Sequence, residues 1–372
     1  MPVNDASKSG GYIAGLDGIR AVSIALVMVA HFGFSYVVPG GLGVTIFFFV
    51  SGFLITTLLL QERQQYGSIS LPNFYARRFL RLSPELLLLV LFCSTVGLLY
   101  ASVRLPDILS ALTYTTNYYA LYSEYEYNLL LRWPHLWSLA VEEHFYLSFP
   151  LLVLLFGRRT ATVSWILAGV CIGALAWRLC IAQWGAPFGW GNDVHPYTYL
   201  ATDTRIDSIA FGCLTGTLLH GRNFKARSVG GSRAAIAGAG LLMLATLVYR
   251  DAVFRETFRY SLQGLSMMLF FYGLFGRGGA PFVEMLEARP LRYMGVLSYG
   301  AYLWHLEVIF LFEWIVGYSP DDLGFAAKIA FILVASATTF LAADASFRLT
   351  APARRLRRRF HGKPAGEPVV AP

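Results

Sequence analysis

Charge is what this chain has least of: Asp, Glu, Lys and Arg make up 14% of its 372 residues, where a soluble globular chain carries about 25%. So little charge cannot cover a water-facing surface. Paired cysteines are missing as well. Cys93, Cys171, Cys180 and Cys213 fall inside apolar blocks and none belongs to a Cys-x-x-Cys pair. This excludes a disulfide framework and a thiol metal site, and leaves four buried free thiols. His135, Glu142, Glu143 and His144 lack a ligand spacing such as His-Glu-x-x-His, so no metal is expected. The segment before Leu16 is polar and has no cleavable signal pattern; the first apolar stretch therefore acts as the insertion signal. Internal repeats, Gly/Ser linkers and low-complexity stretches are absent. The expected organisation is one transmembrane domain over 1–352 followed by a basic cytoplasmic tail at 353–372.

What is present is apolar surface in long blocks: 56% hydrophobic and 15% aromatic residues, with runs such as Ala21–Ala30, Leu86–Phe92 and Leu151–Phe156. A bilayer core of about 30 Å needs about 20 such residues in a helix, and lipid leaves the helix as the expected spanning structure. The blocks predict an all-α polytopic membrane protein of about ten helices. These are Leu16–Phe34, Leu42–Gln61, Glu85–Ser102, Leu136–Phe156, Thr162–Gln183, Ile206–His220, Ala234–Arg250, Arg259–Phe275, Leu291–Val316 and Phe325–Phe347.

The net charge of +8 does not point to nucleic acid, because no basic patch interleaves with exposed aromatics. It follows membrane topology instead. With the N-terminus inside, the cytoplasmic loops hold Arg63 with Arg77, Arg78 and Arg81, then Arg158 and Arg159, then Arg222, Lys225, Arg227 and Arg233, then Arg277, Arg289 and Arg292. The opposite loops Gly185–Thr204 and Tyr318–Gly324 contain no Lys or Arg, while Arg250, Arg255 and Arg259 run against the pattern. The positive-inside rule then places both termini in the cytoplasm.

Ionisable groups inside a membrane are costly, so each is a candidate for function. Arg20 and His31 are 11 positions apart; on a straight α-helix they differ by about 20° around the axis and lie about 16 Å apart along it. Glu142, Glu143 and His144 stand beside a spanning stretch, and Glu142 and Glu143 point about 100° apart. Asp203, Arg205 and Asp207 open the sixth helix, and Tyr299, Tyr302, Trp304, His305 and Glu307 lie in the ninth. The inward loop with Arg77, Arg78 and Arg81 clusters guanidiniums, a group suited to bidentate phosphate contact.

Taken in order, these motifs carry a resemblance. They are Gly15-Leu16-Asp17-Gly18-Ile19-Arg20 with the spacing to His31, then Phe47-Phe48-Phe49-Val50-Ser51-Gly52-Phe53-Leu54-Ile55, then Phe74-Tyr75-Ala76-Arg77-Arg78 with Arg81 and Pro84. They continue with Leu136-Trp137-Ser138-Leu139-Ala140-Val141-Glu142-Glu143, Thr204-Arg205-Ile206-Asp207 and Leu297-Ser298-Tyr299-Gly300-Ala301-Tyr302-Leu303-Trp304-His305. Over essentially its whole length the chain resembles the acyltransferase-3 family of bacterial integral membrane acyltransferases. It departs from the family pattern at His144, where Gln is usual, and looks like a stand-alone member without a hydrolase-like C-terminal domain.

The resemblance implies O-acylation, most often O-acetylation, of a glycan such as O-antigen or exopolysaccharide in the bacterial inner membrane. Acyl-CoA, above all acetyl-CoA, is the implied co-substrate, and no permanently bound cofactor is expected. A small secondary metabolite as acceptor is the alternative within this class. A proton-coupled transporter or flippase is the alternative outside it, disfavoured because no repeat or paired interrupted helices occur.

Acyl transfer needs a base, an oxyanion partner and alignment of two substrates. The catalytic candidates are His31 as general base, Glu142 or Glu143 orienting it, and Arg20 stabilising charge. Arg77, Arg78 and Arg81 are the candidates for the acyl-CoA phosphates. Asp17, Trp137, Arg205, Asp207, Tyr299 and His305 are assigned to the acceptor or to structure. The aromatic outer loop with Trp184, Trp190, Tyr197 and Tyr199 suits sugar rings. Direct transfer and an acyl-histidine relay at His31 both remain open.

Overall fold

A computed structural model describes residues 12–99, 103–122, 133–185, 194–220 and 228–360. Ser102, Trp190, Arg222, Lys225, Arg227 and residues 361–372 of the tail lie outside the described residues. Every regular element among the described residues is helical. In chain order these are α1 (Leu16–Val29, continued by a π-helical turn Ala30–Phe34), α2 (Gly40–Tyr66), α3 (Leu71–Leu99), α4 (Leu105–Leu112), α5 (Thr116–Tyr122), α6 (Trp137–Phe156) and α7 (Thr160–Trp184). There follow α8 (Val194–Leu200), α9 (Thr202–Leu219), α10 (Val229–Val248), α11 (Ala252–Glu256), α12 (Phe258–Leu274), α13 (Ala280–Leu286), α14 (Arg289–Val316), α15 (Phe325–Leu349) and α16 (Ala351–Leu356).

Among the described residues, eight helices are long and apolar enough to cross a membrane: α3, α6, α7, α10, α14, α15, α2 and α1 with its π turn. The chain is a multi-pass all-α membrane protein. The other two segments predicted to span, α9 and α12, are shorter, at 18 and 17 residues. Nearly every residue of α9 from Thr204 to Leu219 is buried, so it presents little surface that needs to be apolar towards lipid. It also matches the depth of its neighbour: Ser164 on α7 meets Thr217 at 2.7 Å, and Arg178 meets Asp207 at 2.7 Å. The two helices thus run antiparallel side by side.

Small residues let the helices approach. A Cβ at Gly52 on α2 would overlap the Ile209 carbonyl of α9, and one at Gly212 would overlap the Phe49 carbonyl. This is the close backbone contact on which association in lipid depends, where packing rather than water exclusion holds helices together. At Gly295 a side chain would strike the backbone of Asp17, which joins α14 to the start of α1. Further along, the same two helices meet again at His31 and His305, so they run parallel and their histidines lie at one level.

The basic stretch Arg77–Arg81 differs from the expected inward loop. It belongs to the single 29-residue helix α3, with Pro84 inside it. Apolar periodicity misses this because the arginines have carboxylate partners on other helices: Arg77 pairs with Glu62 at 2.6 Å and Arg78 with Glu143 at 2.8 Å. Beside the proline the Tyr299 hydroxyl donates to the Leu82 carbonyl at 3.0 Å. Neighbouring helices support an interrupted helix in this way.

Candidate functional site

A cavity of about 1000 Å³ runs between α1, α2, α3, α6 and α14. Its lining on α2 extends from Val44 to Tyr66, about 33 Å of helix at 1.5 Å per residue. Six arginines line it, Arg20, Arg77, Arg78, Arg81, Arg354 and Arg357, against four carboxylates, Asp17, Glu62, Glu85 and Glu142. Each carboxylate is engaged: Asp17 by Arg20 at 3.3 Å, Glu62 by Arg77 at 2.6 Å, Glu85 by Arg354 at 3.4 Å, and Glu142 by Arg78 at 3.4 Å. Arg81 is partly buried and lines the same cavity. A cavity with surplus positive charge and low-dielectric walls focuses field on an anion.

Its far end is Phe47, Ser138 and Tyr302. The Ser138 and Tyr302 hydroxyls are 2.7 Å apart, and Tyr302 donates to the His135 carbonyl at 2.8 Å. Three histidines stand directly behind. The rings of His135 and His305 lie 5.4 Å from the Tyr302 ring, and His305 contacts His31 with Nε2 to Nδ1 at 3.2 Å. His305 is fully buried and His135 nearly so, whereas His31 is the more exposed residue of the three.

The tautomers follow from the partners. His305 Nδ1 lies 2.6 Å from the Tyr302 carbonyl, which only accepts, so Nδ1 carries the proton. The Nε2 of neutral His305 is then an acceptor facing His31 Nδ1. His135 Nε2 likewise donates to the Leu303 carbonyl at 3.1 Å, and its Nδ1 has no hydrogen-bond partner among the described residues.

The position of His31 depends on the local backbone. The α-helix gives way to a π turn at Ala30–Phe34, and Phe32 and Gly33 leave helical angles, with Gly33 at φ 98°. A Cβ at Gly33 would stand 2.8 Å from the Pro320 carbonyl. Such π turns recur at functional sites. Arg20 lines the cavity, and His31 joins the histidines behind it.

The other predicted residues are placed as follows. Glu142 and Glu143 both hold Arg78, whose guanidinium lies 3.2 Å from the Tyr146 ring centroid; the contact to His31 is made by His305 and not by either glutamate. Tyr146 in turn bonds Ser51. Tyr299 lines the cavity. Trp137 packs on Tyr199, with centroids 4.8 Å apart. Arg205 is fully buried in an aromatic cage, 4.0 Å over the Tyr260 ring, and donates to Thr45 at 3.1 Å. Asp207 pairs with the fully buried Arg178. His144, at the position of the departure, bonds Thr202 at 2.7 Å.

Sequence reasoning missed Arg178, Glu85, His135, Arg354 and Arg357. Arg178, the lone cation of an otherwise apolar α7, carried a readable signal. His135 and Arg354 did not, since only the tertiary arrangement brings them to the site. Among the described residues no cluster of His, Cys, Asp or Glu could hold a metal.

The acyltransferase domain profile Acyl_transf_3 matches residues 13–347. The chain is 27% identical over 354 residues to the peptidoglycan O-acetyltransferase OatA of Listeria monocytogenes, covering 91% of this chain and 55% of that protein. It is 29% identical over 313 residues to the O-acetyltransferase OatA of Staphylococcus aureus (strain NCTC 8325 / PS 47), covering 80% of this chain and 51% of that protein. The chain therefore spans about half the length of the curated relatives it matches. No solved structure matches it. With the profile spanning the histidines and all of the cavity lining except Arg354 and Arg357, the chain belongs to the acyltransferase-3 family.

Proposed function

We propose that this chain is a membrane O-acetyltransferase. It takes the acetyl group of cytoplasmic acetyl-CoA and delivers it to a hydroxyl of a glycan, through ten membrane spans with both termini in the cytoplasm of a bacterial inner membrane. The observation that carries the reading is that the arginine-lined cavity reaches Tyr302, whose ring packs on His305, the partner of His31. The nucleotide phosphates of the donor lie among the arginines. The uncharged pantetheine arm runs along the face of α2 and brings the thioester to Ser138 and Tyr302.

The acceptor hydroxyl approaches from the exposed face of His31. His31 Nε2 takes its proton while the acceptor oxygen bonds to the acyl carbon. The carbon–sulfur bond then breaks, and the proton passes to the departing CoA thiolate. His305 holds the His31 ring and its tautomer, the orienting role expected of a glutamate. An imidazole whose ordinary pKa is near 6.5 suits this exchange at neutral pH. The relatives named for O-acetyl transfer, one of them to peptidoglycan, support a glycan acceptor.

The test is release of free CoA from acetyl-CoA by purified protein, with and without a glycan acceptor fraction. Acceptor-dependent release is expected, reduced by about 10² to 10⁴-fold in His31→Ala. Equal release by both proteins would remove His31 from the chemistry. No release with any acyl-CoA would favour the transporter class instead.

A further inference from the structure

Lys328 is a buried cation on the side of His31 away from the arginine-lined cavity. It stands in the first turn of α15, inside a span, and is 8% exposed. Among the described residues its ammonium forms no ion pair; its contact is the face of Tyr36, 5.5 Å from the ring centroid. The stem fixes where that ammonium points. A Cβ at Gly33 would stand 3.3 Å from the Lys328 Cδ, so the stem lies against the π turn that carries His31. Gly33 follows His31 by two residues, no more than about 7 Å of chain. From there the ammonium reaches Tyr36, which is 62% exposed and stacks on Phe34 with centroids 6.2 Å apart. The 3-10 turn Pro320–Asp322 adjoins the same place: the Pro320 carbonyl faces Gly33, Asp321 and Asp322 are exposed, and Asp321 lies within electrostatic range of His31.

An aromatic rim is what any membrane interface carries, and by itself it indicates no ligand. A buried ammonium is different. Taking it out of water costs more than a cation–π contact returns, and an ionisable group at such a depth calls for a partner. Asp321 and Asp322 do not pair with it, and both would repel an acid arriving at the mouth. An acidic acceptor is therefore admitted only where a cation compensates. We propose that Lys328 binds a carboxylate of the acceptor, with Tyr36 as the platform for the sugar ring that bears it, so that the acceptor is an acidic glycan of the uronic acid type. The inference rests on the proposed O-acetyl transfer and names the class of acceptor. A carboxylate held at Lys328 leaves the neighbouring ring hydroxyls near His31.

The experiment uses the full chain with acetyl-CoA and two forms of one glycan acceptor fraction, untreated and methyl-esterified. Esterification neutralises the carboxylates and leaves the hydroxyls in place. The reading is the ratio of kcat/KM for the two forms, measured as CoA release. A ratio within one protein does not depend on how much of a variant folds. Wild type prefers the untreated fraction at least about tenfold, the worth of one charge-assisted contact. Lys328→Met abolishes the preference and Lys328→Arg keeps it. The proposal is overturned if wild type uses both forms equally, if Lys328→Met retains the preference, or if Lys328→Met transfers to neither form, which would make the residue structural. Wild type that releases no CoA with either form overturns the acetyl-transfer reading itself, an outcome distinct from these.

Discussion

At the scale of single residues, the site depends on pairs that no single position reveals. His31 has the right chemistry, but its tautomer is set by His305, and that of His305 by the Tyr302 carbonyl. Replacing His305 with Gln is expected to lower kcat at least about tenfold, by analogy with the loss of an orienting partner in other general-base sites. The KM for acetyl-CoA should not change, because His305 is not part of the cavity lining. Steady-state kinetics with varied acetyl-CoA separates the two. Asp207 behaves differently. It neutralises Arg178 where both side chains are 0% exposed, so Asp207→Ala strands a buried cation. A loss of about 3–5 kcal/mol of stability is expected, read as a lower Tm or loss of monodisperse protein in detergent. The same result with Asp207→Asn would show that the charge matters more than the shape.

At the scale of elements, backbone geometry positions the chemistry. The π turn after α1 is held by Gly33 at positive φ against the Pro320 carbonyl. Gly33→Ala must displace the turn and His31 with it. A shift of about 1 Å at a reacting group costs about 100-fold in rate; kcat should therefore fall by that order while the protein still purifies. Activity at the wild-type level in a folded Gly33→Ala protein would mean that the turn does not set the histidine. The α2–α9 contact is less forgiving. Gly52 and Gly212 each face a backbone carbonyl of the partner helix, so Gly52→Leu is expected to separate the helices and reduce folded yield in the membrane. Gly240→Leu, at a glycine with open space around it, serves as the control and should be tolerated.

At the scale of the whole molecule, orientation becomes testable. The cavity is lined by arginines that the positive-inside rule assigns to the cytoplasm. Acetyl-CoA, which does not cross lipid, should then be consumed by sealed inverted vesicles and spared by right-side-out ones; the reverse pattern would turn the topology over. Sequence by itself determined the all-helical, multi-pass class and placed most of the eight long apolar helices, while it started α3 fourteen residues late, at Glu85 rather than Leu71. Bilayer thickness and the cost of bare backbone in lipid leave few alternatives for apolar blocks of that length. It also singled out His31 and the Arg77–Arg81 cluster, since charge within such blocks stands out. Tertiary structure alone decided the partners. Glu142 and Glu143 went to Arg78, His305 went to His31, and the segment bearing Arg354 and Arg357 folded back onto α3. Local pattern reports how costly a residue is to bury, whereas the group that offsets the cost sits on another helix, at a register set by glycine contacts and a π turn that no single-helix periodicity encodes.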